Sequence, residues 1–204
     1  MDVAGIFSWH SKHRSGVWYG HVLFDYRPSR AQIGFTICRN RTSPAGEPIL
    51  LENQDRSLWN REQIAEGVAL LEKALKSRHF GSYTLQAGIA AVHGEAESAA
   101  ATDWRQIVAL YNPLVRIQHS PVVHLNRAVA IAERDGPAAG LTHIDALLEH
   151  GELAIYYLAH SARAELYRRL GRTAEARSSY EKALALTQQE PERQFLQARI
   201  RQLK

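Results

Sequence analysis

A single cysteine, Cys38, stands among 204 residues. One thiol excludes an internal disulfide and fits a reducing compartment. Long apolar runs are also missing. Val68 to Leu71 is typical of those present, far short of the roughly 20 residues a membrane-spanning helix needs. The first residues lack the basic start and apolar stretch of a secretory signal. Together these absences lead to the expectation of a cytoplasmic protein without a membrane partner. Chemistry-bearing motifs are scarce too. No glycine-rich phosphate loop follows a strand pattern, no serine sits at a strand-to-helix elbow, and Cys38 has no recognisable local signature. These gaps weigh against an enzyme and give no reason to expect a cofactor.

A dominant charge is absent from most of the chain. The formal charge is +4, but residues 1–45 hold six basic side chains (Lys12, Arg14, Arg27, Arg30, Arg39, Arg41) against two acids, Asp2 and Asp25. The remainder is formally neutral. A neutral body lacks the basic footprint of a domain that grips phosphate, so residues 46–204 are not expected to bind nucleic acid directly. With 45% hydrophobic and 23% charged residues, the chain can nevertheless bury a core and is not of disordered composition.

The turn formers Thr42-Ser43-Pro44-Ala45-Gly46 mark a boundary. Before it, Val17-Trp18-Tyr19 and Ile33 to Ile37 are apolar without helical or strand spacing, and Gly5, Gly16, Gly20 and Gly34 interrupt them. Residues 1–45 are therefore an atypical basic segment of undetermined structure, and 46–204 a helical domain. Asn60 with Gln63 predicts a capped helix over 61–77, with Ile64, Val68, Leu71 and Leu75 on one stripe. A second helix spans 82–93. Asp103 with Gln106 opens another through Ile107, Leu110 and Leu114. Ser120-Pro121 is a start signal by both residues. Helices over 121–134, 138–149, 154–170, 173–187 and 191–203 follow, with short connections that make neighbours antiparallel.

The stretch from Ala154 to Leu186 carries small Ala164, Tyr167, Gly171, Ala176, Tyr180 and Ala183, the spacing of a tetratricopeptide (TPR) repeat. Alanine lets the helices of a hairpin approach, and each tyrosine fills the gap beside it. A weaker copy places Ala128, Ile131, Gly140 and Ile144 upstream. Gly140 and Ala176 are 36 residues apart, close to the roughly 34 of this repeat. Helix 191–203, apolar on one side through Phe195, Leu196, Ile200 and Leu203, has the character of a solenoid cap. The expected fold is all-α: stacked antiparallel helical hairpins in a TPR-like solenoid.

Histidines at 10 and 13, or 119 and 124, have neither a ligand spacing nor partners, so no metal site is expected. His93 with Glu95, and Glu66 with Glu72, read as solvated helix faces. The candidate partner-binding set is Asn126, Val129, Glu165, Arg168 and Arg169. Asn126 stands where some TPR adaptors hold a C-terminal carboxylate, but the matching positions on the next inner helix are uncharged Leu158 and Ala162. Hydrogen bonding between neighbouring helices is the better reading of Asn126. Glu165, Arg168 and Arg169 face a partner on the inner surface, or form a solvated stripe with Glu165 and Arg169 paired one turn apart.

Several segments in order resemble one known family. Leu50-Leu51-Glu52-Asn53-Gln54-Asp55-Arg56-Ser57-Leu58-Trp59-Asn60 is similar to a signature in the C-terminal extension of bacterial extracytoplasmic-function (ECF) sigma factors. The similarity continues through Ile64 to Gly67, Leu85 to Ala87, Ala90 to His93, Thr102-Asp103-Trp104 and Ser120 to Ala130. It covers roughly 46 to 204. The resemblance implies a regulatory or protein-interaction module in transcription initiation, with sigma-factor domains or RNA polymerase as partner. The promoter-binding domains of such factors do not fit into 45 residues. Either the chain is a truncated product or it is a free-standing relative with its own leader; the irregular pattern of residues 1–40 favours the former. Gln54, Asp55, Arg56 and Trp59 form a docking surface for sigma domains or, the favoured reading, tie down the loop before helix 61–77. A free-standing adaptor and an enzyme with a pocket between helices are the alternatives.

Overall fold

A computed structural model describes residues 49–77 and 81–203, together with the backbone of two short strands. Among the described residues, the architecture is a stack of antiparallel helices in chain order: α1 (Arg61–Lys76), α2 (Ser82–Glu95), α3 (Trp104–Ile117), α4 (Pro121–Asp135), α5 (Pro137–Glu149), α6 (Tyr157–Arg169), α7 (Thr173–Leu186) and α8 (Glu190–Gln202). Two 3₁₀ turns, Leu51–Asn53 and Arg56–Leu58, precede α1. Each helix packs on the next, α4 touches α6, and the result is the expected TPR-like solenoid. The strands β1 (Trp18–Tyr19) and β2 (Val22–Leu23) pair antiparallel, with β2 alongside α4. Apart from these four positions, the atypical 1–45 segment lies outside the described residues, as do His10, His13 and Cys38.

The helix ends follow local chemistry. The side chains of Asn60 and Asp103 accept hydrogen bonds from the backbone N–H groups of Gln63 and Gln106, each at 3.0 Å. Trp59, just before the first cap, shares an apolar cluster with Ile64 in the first turn, the geometry of a hydrophobic staple. At Ser120 the start signal works through Pro121 at the first helical position, since the serine side chain makes no cap bond. Gly171 ends α6 at φ +72°. The Arg172 N–H reaches back to the Tyr167 carbonyl at 2.9 Å and the Gly171 N–H to Arg168 at 3.0 Å, a Schellman closure.

Two local expectations need correction. The helix expected from residue 154 begins at Tyr157, because Gly151 at φ +77° opens a series of turns that seats Leu153 in the core. The α1 stripe is only partly covered. Ile64 is buried, Val68 and Leu71 are half-buried, and Leu75 is 43% exposed, since α1 packs on α2 at one end of the stack.

The core is continuous in the second half. Ala128, Val129, Ala164, Tyr167, Ala176, Tyr180, Ala183 and Leu196 are all buried in one cluster. Small residues set the helix spacing. A Cβ on Gly140 would lie 2.4 Å from the Ala132 Cβ and 2.7 Å from the Ala128 carbonyl oxygen, so α4 and α5 touch backbone to backbone. Ala128 and Gly140 of one hairpin correspond, 36 residues on, to Ala164 and Ala176 of the next. The second pair carries a methyl group at both positions, whereas the first has bare backbone at Gly140.

Candidate protein-interaction face

Two sets of polar residues stand out, one in the entry loop and one around α6. The first is the Gln54-Asp55-Arg56 stretch with Trp59. Gln54 is buried and its Nε2 donates to the Ile49 carbonyl at 3.0 Å. Asp55 is exposed and accepts from the Ser57 N–H and hydroxyl at 2.9 and 2.6 Å. These bonds, through the hydroxyl first, hold its carboxyl below the ordinary range. Arg56 is buried, and its Nη1 donates to the carbonyls of His93 (2.9 Å) and Ala96 (2.6 Å) at the C-terminal end of α2. Arg61 adds a bond to the Gly94 carbonyl at 3.1 Å. A cation at a helix C-terminus satisfies orphan carbonyls and meets the negative end of the dipole. The guanidinium of Arg56 also lies 4.7 Å from the Trp59 ring centroid. This stretch ties the entry loop to α2. It is an internal fastening of the entry loop.

The second set gathers around α6. Glu165 accepts from Arg168 through both carboxylate oxygens, at 2.9 and 2.5 Å, and from the Tyr180 hydroxyl of α7 at 2.9 Å. Burial by itself would raise the carboxyl. The Arg168 hydrogen bonds and charge, the Tyr180 hydroxyl and the Arg199 charge together bring it below its ordinary value. Tyr180 is pushed upward, first by burial and then by the Glu165 charge. Glu165 and Tyr180 line a shallow cleft with Ser161, Phe195 and Arg199 of the C-terminal repeat and with Leu50 and Glu52 from the far end of the sequence. It has room for one or two water molecules rather than for a substrate.

Of the sequence-derived candidates, only Glu165 lines this cleft, with Arg168 bonded to it. Arg169 is not Glu165's partner. It forms an ion pair with Glu133 of α4, because in the turn before Gly171 it is Arg168, three residues on, that points back at Glu165. Asn126 is buried on α4, and Val129 is part of the core cluster. Leu158 and Ala162 are likewise buried. Sequence reasoning took Tyr180 as a gap filler and did not single out Leu50, Glu52, Ser161, Phe195 or Arg199 as site residues. The pairing of Tyr180 with Glu165, one on each helix of a hairpin, was within reach of the repeat alignment; the approach of residues 50–52 was not.

His93 also differs from expectation. Glu95 is exposed, but the His93 ring packs edge-on against Trp104 at 5.2 Å, because this turn of α2 faces α3. His119 and His124 are exposed, and His160 is buried with Nε2 2.9 Å from the Ala154 carbonyl. Among the described residues, no three His, Cys, Asp or Glu side chains group as metal ligands. Nor is any described helix long and apolar enough to cross a membrane.

Comparison with known proteins agrees with this geometry at the level of fold. Residues 157–189, which contain α6 and α7, match the tetratricopeptide repeat. Residues 36–75, which contain the entry loop and most of α1, match a family described as a family of unknown function, DUF6596. The chain is 43% identical over 162 residues to an uncharacterized protein of Rhizobium meliloti (strain 1021). The matched part is 79% of this chain and 38% of that protein, so the chain spans well under half of its relative's length. No solved structure matches.

Proposed function

We propose that this chain is a regulatory protein-interaction module of an ECF-type sigma factor, acting in transcription initiation. The observation that carries the binding role is the α6 cluster. A TPR-like hairpin here bears an arginine-carboxylate-tyrosine network beside a cleft, on a domain whose other polar motif is spent on internal fastening. Helical repeats bury a continuous core and leave an extended surface for a peptide or a second domain. The sigma-factor part rests on the resemblance of residues 50–60 and the segments after it to the C-terminal extension of that family. The reading carries a cytoplasmic location, no catalytic step, no cofactor and no direct contact with promoter DNA by residues 46–204.

The test is direct binding. The full chain, immobilised, is offered purified RNA polymerase core and, separately, ECF-type sigma domains. Saturable capture of either, reduced by Arg168→Glu, supports the proposal. Capture of neither overturns it in favour of a free-standing adaptor, the reading to which the tetratricopeptide match alone extends.

A further inference from the structure

The entry segment reaches both ends of the solenoid. Leu51 is buried with Trp59 and Ile64, beside Val68 of α1 and Trp104 of α3. Its neighbours Leu50 and Glu52 line the cleft formed by Ser161 and Glu165 of α6, Tyr180 of α7, and Phe195 and Arg199 of α8. Three consecutive residues, Leu50 and the first two of the Leu51–Asn53 3₁₀ turn, thus reach from the first hairpin to the last. We infer that the α6–α8 cleft is a receptor for a short linear segment with an apolar residue two positions before an acid, and that Leu50-Leu51-Glu52 is its built-in occupant. The segment acts as a strap, and a partner carrying a similar segment competes with it.

Three observations favour an exchangeable contact over fixed core packing. The occupant is a stretch of three residues at the start of the 3₁₀ turn, and of the two that line the cleft Glu52 is exposed and Leu50 half-buried, whereas Leu51 anchors elsewhere. Charge is complementary. Glu165 is already engaged by Arg168 and Tyr180, but Arg199 has no carboxylate within ion-pair distance among the described residues. Its contacts are Gln202 Oε1 at 3.4 Å and the Phe195 ring at 5.4 Å. Glu52 is the acid brought to that side, and its charge is also felt by Arg168. Finally, the cleft is not filled to core density, since water-sized space persists beside the segment. A contact of this kind gains from being intramolecular: a weak site is occupied because its ligand is held at high effective concentration.

This inference deepens the reading of the inner face as a protein-binding surface and rests on it. Its test uses no transcription protein, so the two can fail separately. In the full chain, Leu50→Ser with Glu52→Lys replaces both cleft-lining residues and leaves Leu51 in place. Glu62→Lys, on the exposed side of α1, serves as the charge-matched control. Hydrogen exchange followed by mass spectrometry is expected to rise at least five-fold in the double variant over 49–53 and on the cleft side of α6 and α8, and to stay at the parent level in the control. A labelled peptide of residues 46–55 is expected to bind the double variant at least ten-fold more tightly than the parent, and to lose that gain when Arg199→Glu is added. Exchange unchanged in the double variant overturns the strap. Faster exchange without peptide capture overturns the receptor and leaves a structural loop. Should the double variant melt early, Arg199→Glu in the otherwise unaltered chain gives the same exchange readout, with release expected and no release counting against the strap.

Discussion

Glu133 and Arg169 occupy the same position of two successive hairpins, 36 residues apart, and form an ion pair between α4 and α6. Both side chains are partly shielded, at 15% and 27% exposure. The pair ties the first helices of neighbouring repeats, where α4 and α6 otherwise touch lightly. A double-mutant cycle with Glu133→Gln and Arg169→Gln is expected to give a coupling of about 0.5–1 kcal/mol, weakened in 1 M salt. Urea unfolding at two ionic strengths measures it, and a coupling of zero at low salt would remove the pair as a repeat-to-repeat tie.

Arg56 is expected to be the most sensitive polar position. Arg56→Met leaves the His93 and Ala96 carbonyls without their charged donor and removes the contact with Trp59, at a cost of about 2–4 kcal/mol. Arg56→Lys keeps the charge but loses the planar fork, so it recovers less than half of this. Equal stability of wild type and Arg56→Met in urea would contradict the fastening role.

Two glycines give opposite expectations. Gly140→Ala must push α4 from α5, because the new methyl would meet Ala132 and the Ala128 carbonyl at 2.4 and 2.7 Å; the expected loss is about 2–3 kcal/mol. At Gly88 the nearest atoms belong to the flexible Leu110 side chain, at 3.3 Å. There the alanine's better helix propensity, about 1 kcal/mol, offsets the crowding and leaves stability nearly unchanged. Thermal melts of the two variants side by side distinguish them.

Glu192, in the first turn of α8, is buried, and its Oε2 has no hydrogen-bond partner among the described residues. Burial raises its carboxyl above the ordinary 4.5, only partly opposed by a bond from its own backbone N–H. The folded state therefore holds this proton more tightly than the unfolded chain. The contribution to stability is full below 4.5 and is lost as pH rises through the elevated folded value. Glu192→Gln is expected to flatten that part of the pH–stability curve and to raise the melting temperature at pH 7. A variant that melts lower than wild type at pH 7 would show that the charged form is favoured there.

The fold was largely legible because helical hairpins are written in local patterns. Asn60, Asp103, Pro121 and Gly171 each act within a few residues of themselves, and their caps and turns lie where periodicity put them. The Ala164, Tyr167, Ala176, Tyr180 spacing fixes how one helix meets the next, so the repeat could be read without coordinates. The α2 carbonyls to which Arg56 donates were not legible in the sequence, since they lie 37 and 40 residues away.

What the sequence alone determined is therefore the hairpin: helix limits, turn closure and the small-residue seam, all set by interactions of short range. Only the tertiary structure decided what the stack does with its ends and its inner charges. The joining of residues 50–52 to α6–α8 depends on the accumulated rotation of successive helices, while the choice of Glu133 over Glu165 as the partner of Arg169 and the packing of His93 against Trp104 depend on how neighbouring helices face one another. Small angular steps at each hairpin sum over the whole solenoid, and no local spacing in the chain encodes their total.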